Sequence, residues 1–296
     1  MKVIGTKERM CVSIMGTLET TNQSVCKNLW DSQSHTFSAD MLKCTAIITM
    51  LIDHTGAGIL EKLLYHSDIV FSENTVMLLK TIDGIMRLIG RMAFPIFCFL
   101  LVQGFLHTRS RIKYARNFLI FALISEIPFD FCFFGGIYLP YQNVFLTLFV
   151  GLLTLWGIET VEKSEINLVL KCILYVLVAV VGMKVSNFIH SDYYWIGVLL
   201  VLYLYIFRNN FILQCTIPFI VFLLSLAVDD VGFSAALTQR IFHYFESDWT
   251  VFISAFMIYR CNGKRYMKGG KYFFYAFYPV HIAILYVIRQ VLVQVL

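Results

Sequence analysis

The chain has few charged residues for its length. Only 15% of its 296 residues are charged, whereas 58% are hydrophobic, and the mean hydropathy is +0.72. This balance lies outside the range of soluble domains and predicts that most of the chain is divided into membrane spans of about 20 residues each. We therefore interpret the net charge of +5 as a signal of membrane topology and expect no nucleic acid partner.

Several signatures of soluble enzymes and of metal sites are also missing. The eight cysteines include no CxxC pair, so we expect neither a disulfide framework nor a metal site, and interpret the cysteines as small buried hydrophobic residues. The sequence contains no GxSxG motif, no HExxH motif and no phosphate-binding glycine loop. These absences argue against the hydrolases, zinc peptidases and nucleotide-binding proteins that use those motifs.

Residues 1–40 contain no apolar run long enough for the core of a signal peptide. We interpret this segment as a polar cytoplasmic tail and residues 41–296 as one transmembrane domain. Ser38 and Asp40 stand where the cap of the first helix is expected.

The remaining sequence predicts an all-α fold, a polytopic integral membrane helix bundle with about nine transmembrane helices. The expected spans are 41–64, 87–107, 114–134, 143–160, 168–189, 193–207, 211–229, 247–260 and 272–293. No internal repeat is evident, and the short connections make neighbouring helices antiparallel.

Lysine and arginine indicate the orientation of this bundle. With the N-terminus in the cytoplasm and the C-terminus outside, 17 of the 24 basic residues fall in cytoplasmic segments and 5 in outer segments. Positive residues favour the cytoplasmic side, so this split predicts an N-in, C-out topology with nine spans.

Ionisable and polar side chains lie within these apolar runs, where a charge costs at least about 2.5–3.5 kcal/mol. With the predicted topology they converge on the outer half of the membrane, which predicts a polar site inside the bundle. They are Asp53, His54, Arg87, Arg91, Glu126, Asp130, Asn143, Tyr278 and His281.

Each of these residues also has a purely structural interpretation. Asp53 and Arg91 could be an ion pair that fixes helix packing, and the histidines could donate to backbone carbonyl groups. Glu126 and Asp130, one turn apart on one helix face, could bind a proton or cation or serve as counterions for the arginines. A mid-membrane histidine beside carboxylates suits general-base activation of a nucleophile, and it suits a proton relay equally well.

Five short motifs occur in an order that resembles the TraX family, across about residues 40–290. These motifs read IDH (52–54), RLIGRMAFPIF (87–97), SEIPFD (125–130), QNVF (142–145) and FYPVH (277–281). The resemblance implies a multipass acyltransferase of the bacterial cytoplasmic (inner) membrane, associated with acetylation of conjugative pilin.

The resemblance implies acetyl-CoA as donor substrate, no metal, and a pilin, surface glycan, lipid or peptide as acceptor. We expect His54 to be the base, with His281 as the second candidate, and Arg91, Asn143 and Tyr278 to stabilise the oxyanion. Asp53, Glu126 and Asp130 complete the expected catalytic group, and Arg87 the substrate site.

The expected contacts with coenzyme A phosphates lie on two cytoplasmic basic loops, although such loops also serve as topology signals and contact lipid headgroups. The residues are Arg109, Arg111, Lys113, Arg116, Lys264 and Arg265. Two competing function classes stay open, a proton- or cation-coupled transporter and a non-catalytic assembly factor for a surface structure. The missing repeat argues mildly against a transporter.

Overall fold

The computed structural model describes residues 36–214, 216, 249–264, 266 and 271–296. Every regular element within these ranges is a helix, which confirms the all-α prediction. Most of the expected span at 211–229, and Arg265, lie outside the described residues.

The helices are numbered here in chain order. They are α1 (Ala39–Thr55), α2 (Glu61–Leu64), α3 (Glu73–Gly90), α4 (Ala93–His107), α5 (Arg111–Phe134), α6 (Val144–Lys163), α7 (Leu168–Phe188), α8 (Tyr194–Ile206), α9 (Phe211–Gln214), α10 (Val251–Tyr259) and α11 (Lys271–Val295). A π-helical turn, Gly56–Leu60, joins α1 to α2.

Five stretches of the described chain are long and apolar enough to cross a membrane. They are Glu73–His107, Arg111–Phe134, Val144–Lys163, Leu168–Phe188 and Tyr272–Val295, and Tyr194–Ile206 is a shorter apolar helix. This confirms a polytopic membrane helix bundle, whereas the count of nine spans and the absolute orientation stay predictions.

The start of the second expected span was placed too late. The helix begins at Glu73 rather than Arg87, after a Ser72 cap whose hydroxyl accepts from the backbone amide of Thr75. Its first half mixes exposed apolar residues such as Met77 and Ile82 with charged residues, which lowers the average hydropathy and hides the helix from a search for continuous apolar runs.

The first helix follows the expected span and begins at the expected cap. The Ser38 hydroxyl accepts from the Met41 amide at 3.1 Å. The π-helical turn places Gly56 and Gly58 against neighbouring helices, where an added Cβ would overlap the Asp83 carboxylate and the Cys132 thiol, respectively. Glycine is therefore needed here for close packing against α3 and α5.

Helices α5 and α11 pack side by side and define the depth of the polar residues. Tyr275 stacks on Phe121 with ring centroids 5.2 Å apart, and Tyr286 meets Phe131 edge to face at 5.7 Å. His281 lies midway between the two tyrosines, so it is level with Glu126 on α5.

The relative directions of the helices agree with the predicted topology. Asp40 at the start of α1 and His107 at the end of α4 line one cavity, so these two helix ends lie on the same side. Reporter fusions at Lys113 are expected to report the cytoplasm, and fusions at Tyr138 the outside, because of the 17-to-5 split of basic residues. A fusion at Lys113 that reports the outside would contradict this orientation.

Candidate active site

Two histidines that are 227 residues apart in the sequence meet where α1 packs against α11. The Nδ1 atom of His54 lies 2.7 Å from Nε2 of His281, with the two rings parallel to within 1°. His281 is 4% exposed, and its Nδ1 atom lies 2.7 Å from the Phe277 carbonyl oxygen one turn earlier on α11. The residues form a continuous hydrogen-bonded chain.

The carbonyl at the end of this chain determines where the protons are. A carbonyl oxygen only accepts, so His281 carries its proton on Nδ1, and its Nε2 atom accepts from His54. Neutral His54 is then protonated on Nδ1, which leaves the lone pair on Nε2. Among the described residues this Nε2 atom has no hydrogen-bond partner in the structure. The arrangement prepares His54 to accept a proton.

Asp53 is held by an arginine, but not by the one expected from the sequence. Its carboxylate accepts from the Arg87 guanidinium at 2.7 Å, and the two side chains are 18% and 32% exposed. Among the described residues, Arg87 is the basic residue with which Asp53 forms a salt bridge. The prediction that Asp53 pairs with Arg91 was therefore wrong. Gly90 makes the approach possible, because a Cβ there would overlap Asp53. Arg91 follows at the break between α3 and α4.

Glu126 and Asp130 occupy the same face of α5, as predicted. The Asn143 amide donates to Glu126 and, at 2.9 Å, to the Ala122 carbonyl. Its carbonyl caps α6 by accepting from the Phe145 amide at 3.0 Å. Both amide protons of Asn143 are thus used within the protein, which argues against its expected role as an oxyanion donor. Asp130 is 2% exposed and accepts from the Tyr138 amide.

Tyr278 connects the histidines to an apolar cavity in the described part of the chain. Its ring centroid lies 5.7 Å from that of His54 and 5.8 Å from that of His281. The cavity has a volume of about 420 Å³. Polar residues surround one end (Asp40, Lys43, His107 and Thr108), and apolar and aromatic residues line the rest (including Phe97, Leu101, Phe118, Leu148 and Phe274) up to Met50 and Tyr278.

The expected phosphate-binding residues fall into two groups. Arg109, Lys113, Arg116 and Lys264 are exposed. Arg111 instead donates twice to Glu159, at 3.1 and 2.9 Å, and also to the Phe105 and Thr108 carbonyls. Its guanidinium therefore joins α5 to α6 and the end of α4, which argues for a structural role.

Comparison with known proteins supports this assembly of motifs. A family model described as TraX protein matches residues 38–289. The chain belongs to the TraX family. It is also similar to the probable fimbrial assembly protein FimC, serogroup H1, of Dichelobacter nodosus, with 27% identity over 263 residues that cover 86% of this chain and 96% of that protein. No solved structure matches the chain significantly.

In this TraX-family chain the sequence reasoning missed an aspartate, Asp192. Its carboxylate accepts from the Tyr141 hydroxyl at 2.9 Å and from the Tyr193 amide at 3.0 Å. Burial raises the pKa of the Asp192 carboxyl, although these hydrogen bonds and the charges of Arg87 and Arg91 act in the opposite direction. The residue lies in a short loop between two spans, where a single carboxylate has no local signature.

Arg289 is a second residue that the sequence reasoning missed. It connects helices of the TraX-family bundle on the C-terminal side of His281. It is 6% exposed and donates to the carbonyls of Phe131 (3.0 Å), Cys132 and Gly58 (3.4 Å). The first two carbonyls belong to the last turn of α5, whose carbonyl groups lack partners within the helix. Helix α11 therefore contacts α1 through His281 and the π-helical turn that follows α1 through Arg289.

Proposed function

We propose that the protein is an integral membrane acyltransferase that moves an acetyl group from acetyl-CoA to a nucleophile on a cell-surface acceptor, in the bacterial cytoplasmic (inner) membrane. One observation carries the proposal. The hydrogen-bonded chain from the Phe277 carbonyl through His281 to His54 leaves the lone pair of His54 Nε2 available as a general base.

The chemistry then follows from the residues at hand. The acceptor amine or hydroxyl attacks the thioester carbonyl, and His54 Nε2 takes its proton as the new bond forms. The tetrahedral intermediate carries a negative oxygen, for which the Tyr278 hydroxyl is the donor. Collapse breaks the carbon–sulfur bond, and the coenzyme A thiolate leaves with the proton that His54 returns. The hydrogen bond to His281 stabilises the transient positive charge on His54.

The cavity provides a path for the donor. Its polar end at Asp40 lies 14 residues before His54 on α1, a rise of roughly 21 Å at 1.5 Å per residue. The apolar walls fit a thioester arm that reaches from the basic side of the membrane, while the nucleotide phosphates stay near Arg109 and Lys264.

The acceptor is proposed from the relative. The Dichelobacter protein is described as a probable fimbrial assembly protein, which favours a pilin as acceptor here, and we propose the pilin N-terminus as the site of transfer. A surface glycan, lipid or peptide is an alternative acceptor that would undergo the same reaction.

Purified protein in nanodiscs with radiolabelled acetyl-CoA tests the reaction. We expect slow thioester hydrolysis without acceptor and transfer of label when pilin is added. Mass spectrometry of surface polymers from cells with and without the gene identifies the acceptor. A transporter would instead show ion-driven flux in liposomes and no thioester turnover, and an assembly factor would show neither activity.

The donor site makes a separate prediction. Changing Arg109 and Lys264 together to glutamine is expected to raise the KM for acetyl-CoA more than about tenfold, because each charge-assisted hydrogen bond to phosphate is worth about 1.5–3 kcal/mol. The acceptor KM should stay within about twofold, since in the proposed reaction the acceptor approaches from the other side. Lys163→Gln, which removes another exposed basic charge, at the end of α6, is the control. An unchanged donor KM in correctly inserted protein would leave both residues as membrane anchors.

A further inference from the structure

The apolar cavity ends before it reaches the histidine pair. On α1 its last lining residue is Met50, four residues before His54. On α11 its last lining residue is Tyr278, three residues before His281. A turn of α-helix has about 3.6 residues, so a step of one turn separates the cavity from the histidine on both helices. The side chains at this end of the cavity therefore stand between the donor path and the proposed base.

Helices α1 and α11 run in the same direction away from the polar end of the cavity. At that end, Nζ of Lys43 lies 5.2 Å from the centroid of the Phe274 ring. The two helices meet again at the histidine pair, which lies further along both of them. Because these contacts occur in the same order on both helices, Met50 and Tyr278 lie at a similar depth, at the end of the cavity nearest the histidines.

Three buried side chains form this end of the cavity, and we call them the end wall. They are Met50, Phe145 and Tyr278, which are 8%, 7% and 3% exposed. Phe145 packs edge to face on Tyr278, with ring centroids 5.1 Å apart, and its centroid lies 5.8 Å from that of Phe118. Protein interiors contain few voids, so a group that extends past the end wall has to displace one of these side chains.

Met50 is the member of the end wall whose size can change without loss of the site. The Phe145 ring is held by its ring neighbours, and Tyr278 supplies the proposed oxyanion donor. Met50 instead has a flexible, unbranched side chain, and it takes no part in the proposed proton transfer. The room at the end of the cavity therefore depends on Met50.

We propose that the end wall limits the acyl group of the donor to acetyl, and that Met50 sets this limit. The inference rests on the proposed acyltransferase function and adds the residue that selects the acyl group. The thioester arm enters from the polar end of the cavity, so the acyl group is the part of the donor that reaches the end wall. An acetyl group ends in a single methyl group. Each added methylene has to occupy space that the end wall already fills.

Rates of thioester hydrolysis without acceptor, measured on the purified full-length protein in nanodiscs, test the end wall. We expect kcat/KM for acetyl-CoA to exceed that for butyryl-CoA at least about 10²-fold, because each methylene that a pocket cannot hold costs about 10–200-fold in specificity. Met50→Ala should lower this ratio at least about tenfold, since loss of the thioether arm leaves room for the added methylenes. An unchanged ratio in folded Met50→Ala would overturn the role of Met50.

Two control variants separate the size of Met50 from other effects of substitution. Met50→Leu conserves the side-chain volume and should keep the parent ratio of acetyl-CoA to butyryl-CoA turnover. Met41→Ala makes the same truncation on the same helix at a position that is 48% exposed, and it should also keep the parent ratio. Size-exclusion profiles identify variants that do not fold, and Met50→Val, a smaller truncation, replaces Met50→Ala if that variant is among them.

Binding of thioether analogues separates failure of the end wall from failure of the proposed function. S-ethyl-CoA and S-butyl-CoA match the two acyl chain lengths but cannot transfer an acyl group. The parent protein should bind the ethyl analogue at least about tenfold more tightly, and Met50→Ala should reduce this preference. A parent protein that hydrolyses both thioesters equally well would refute the end wall while the acyltransferase stands. Selective binding of the ethyl analogue without turnover of either thioester would refute the acyltransferase alone.

Discussion

Replacing His54 with alanine is expected to lower the rate of acetyl transfer at least about 10²-fold, the usual contribution of a general base. The hydrogen-bonded chain leaves the lone pair of His54 Nε2 without a hydrogen-bond partner among the described residues. The protein should still insert and fold, because His54 is only half-buried. The measurement is single-turnover transfer from radiolabelled acetyl-CoA in nanodiscs, with His66→Ala in the α2–α3 loop as the control.

His281 should behave differently from His54. Its replacement by alanine removes the acceptor that keeps the His54 proton on Nδ1, so His54 becomes free to adopt the other tautomer. We expect a smaller loss than for His54→Ala, with kcat reduced and the donor KM unchanged. A loss of less than about tenfold for His54→Ala, together with a larger one for His281→Ala, would reverse the two roles.

The sequence was sufficient to find the members of this site but not their partners. His54, His281 and Glu126 could each be identified, because a polar side chain in an apolar run is costly and therefore informative. The contact between His54 and His281 joins residues 227 positions apart. Only the packing of α1 against α11 brings them together, and no local pattern encodes that.

The arginine that pairs with Asp53 could not be predicted from the sequence either, although the two candidates are close neighbours. Arg87 and Arg91 are four residues apart, so they point in similar directions and either could meet Asp53. The choice depends on the helix break after Gly90 and on the missing side chain at Gly90, which lets Asp53 approach α3. Asp192 illustrates a different limit, since its neighbours Tyr141 and Tyr193 identify it only after the loops have packed.

The second large effect concerns the pair formed by Asp53 and Arg87. Asp53→Asn alone should destabilise the protein by about 3 kcal/mol, because it leaves the Arg87 charge without its partner in a largely apolar environment. The value lies at the lower end of the range for buried pairs, since the two side chains are 18% and 32% exposed and solvent screens part of the charge. Thermal or denaturant unfolding in a fixed detergent measures the difference.

The double variant Asp53→Asn with Arg87→Gln should recover most of this stability, because neither charge then remains unpaired. Asp53→Asn with Arg91→Gln should not, which distinguishes the observed partner from the one that the sequence suggested. Activity should stay low in both double variants, because Asp53 directly precedes the proposed base and its pairing with Arg87 holds α1 against α3 beside His54. If Asp53→Asn with Arg87→Gln is no more stable than Asp53→Asn alone, the contact contributes no coupling energy. Solvent would then stabilise each of the two charges independently.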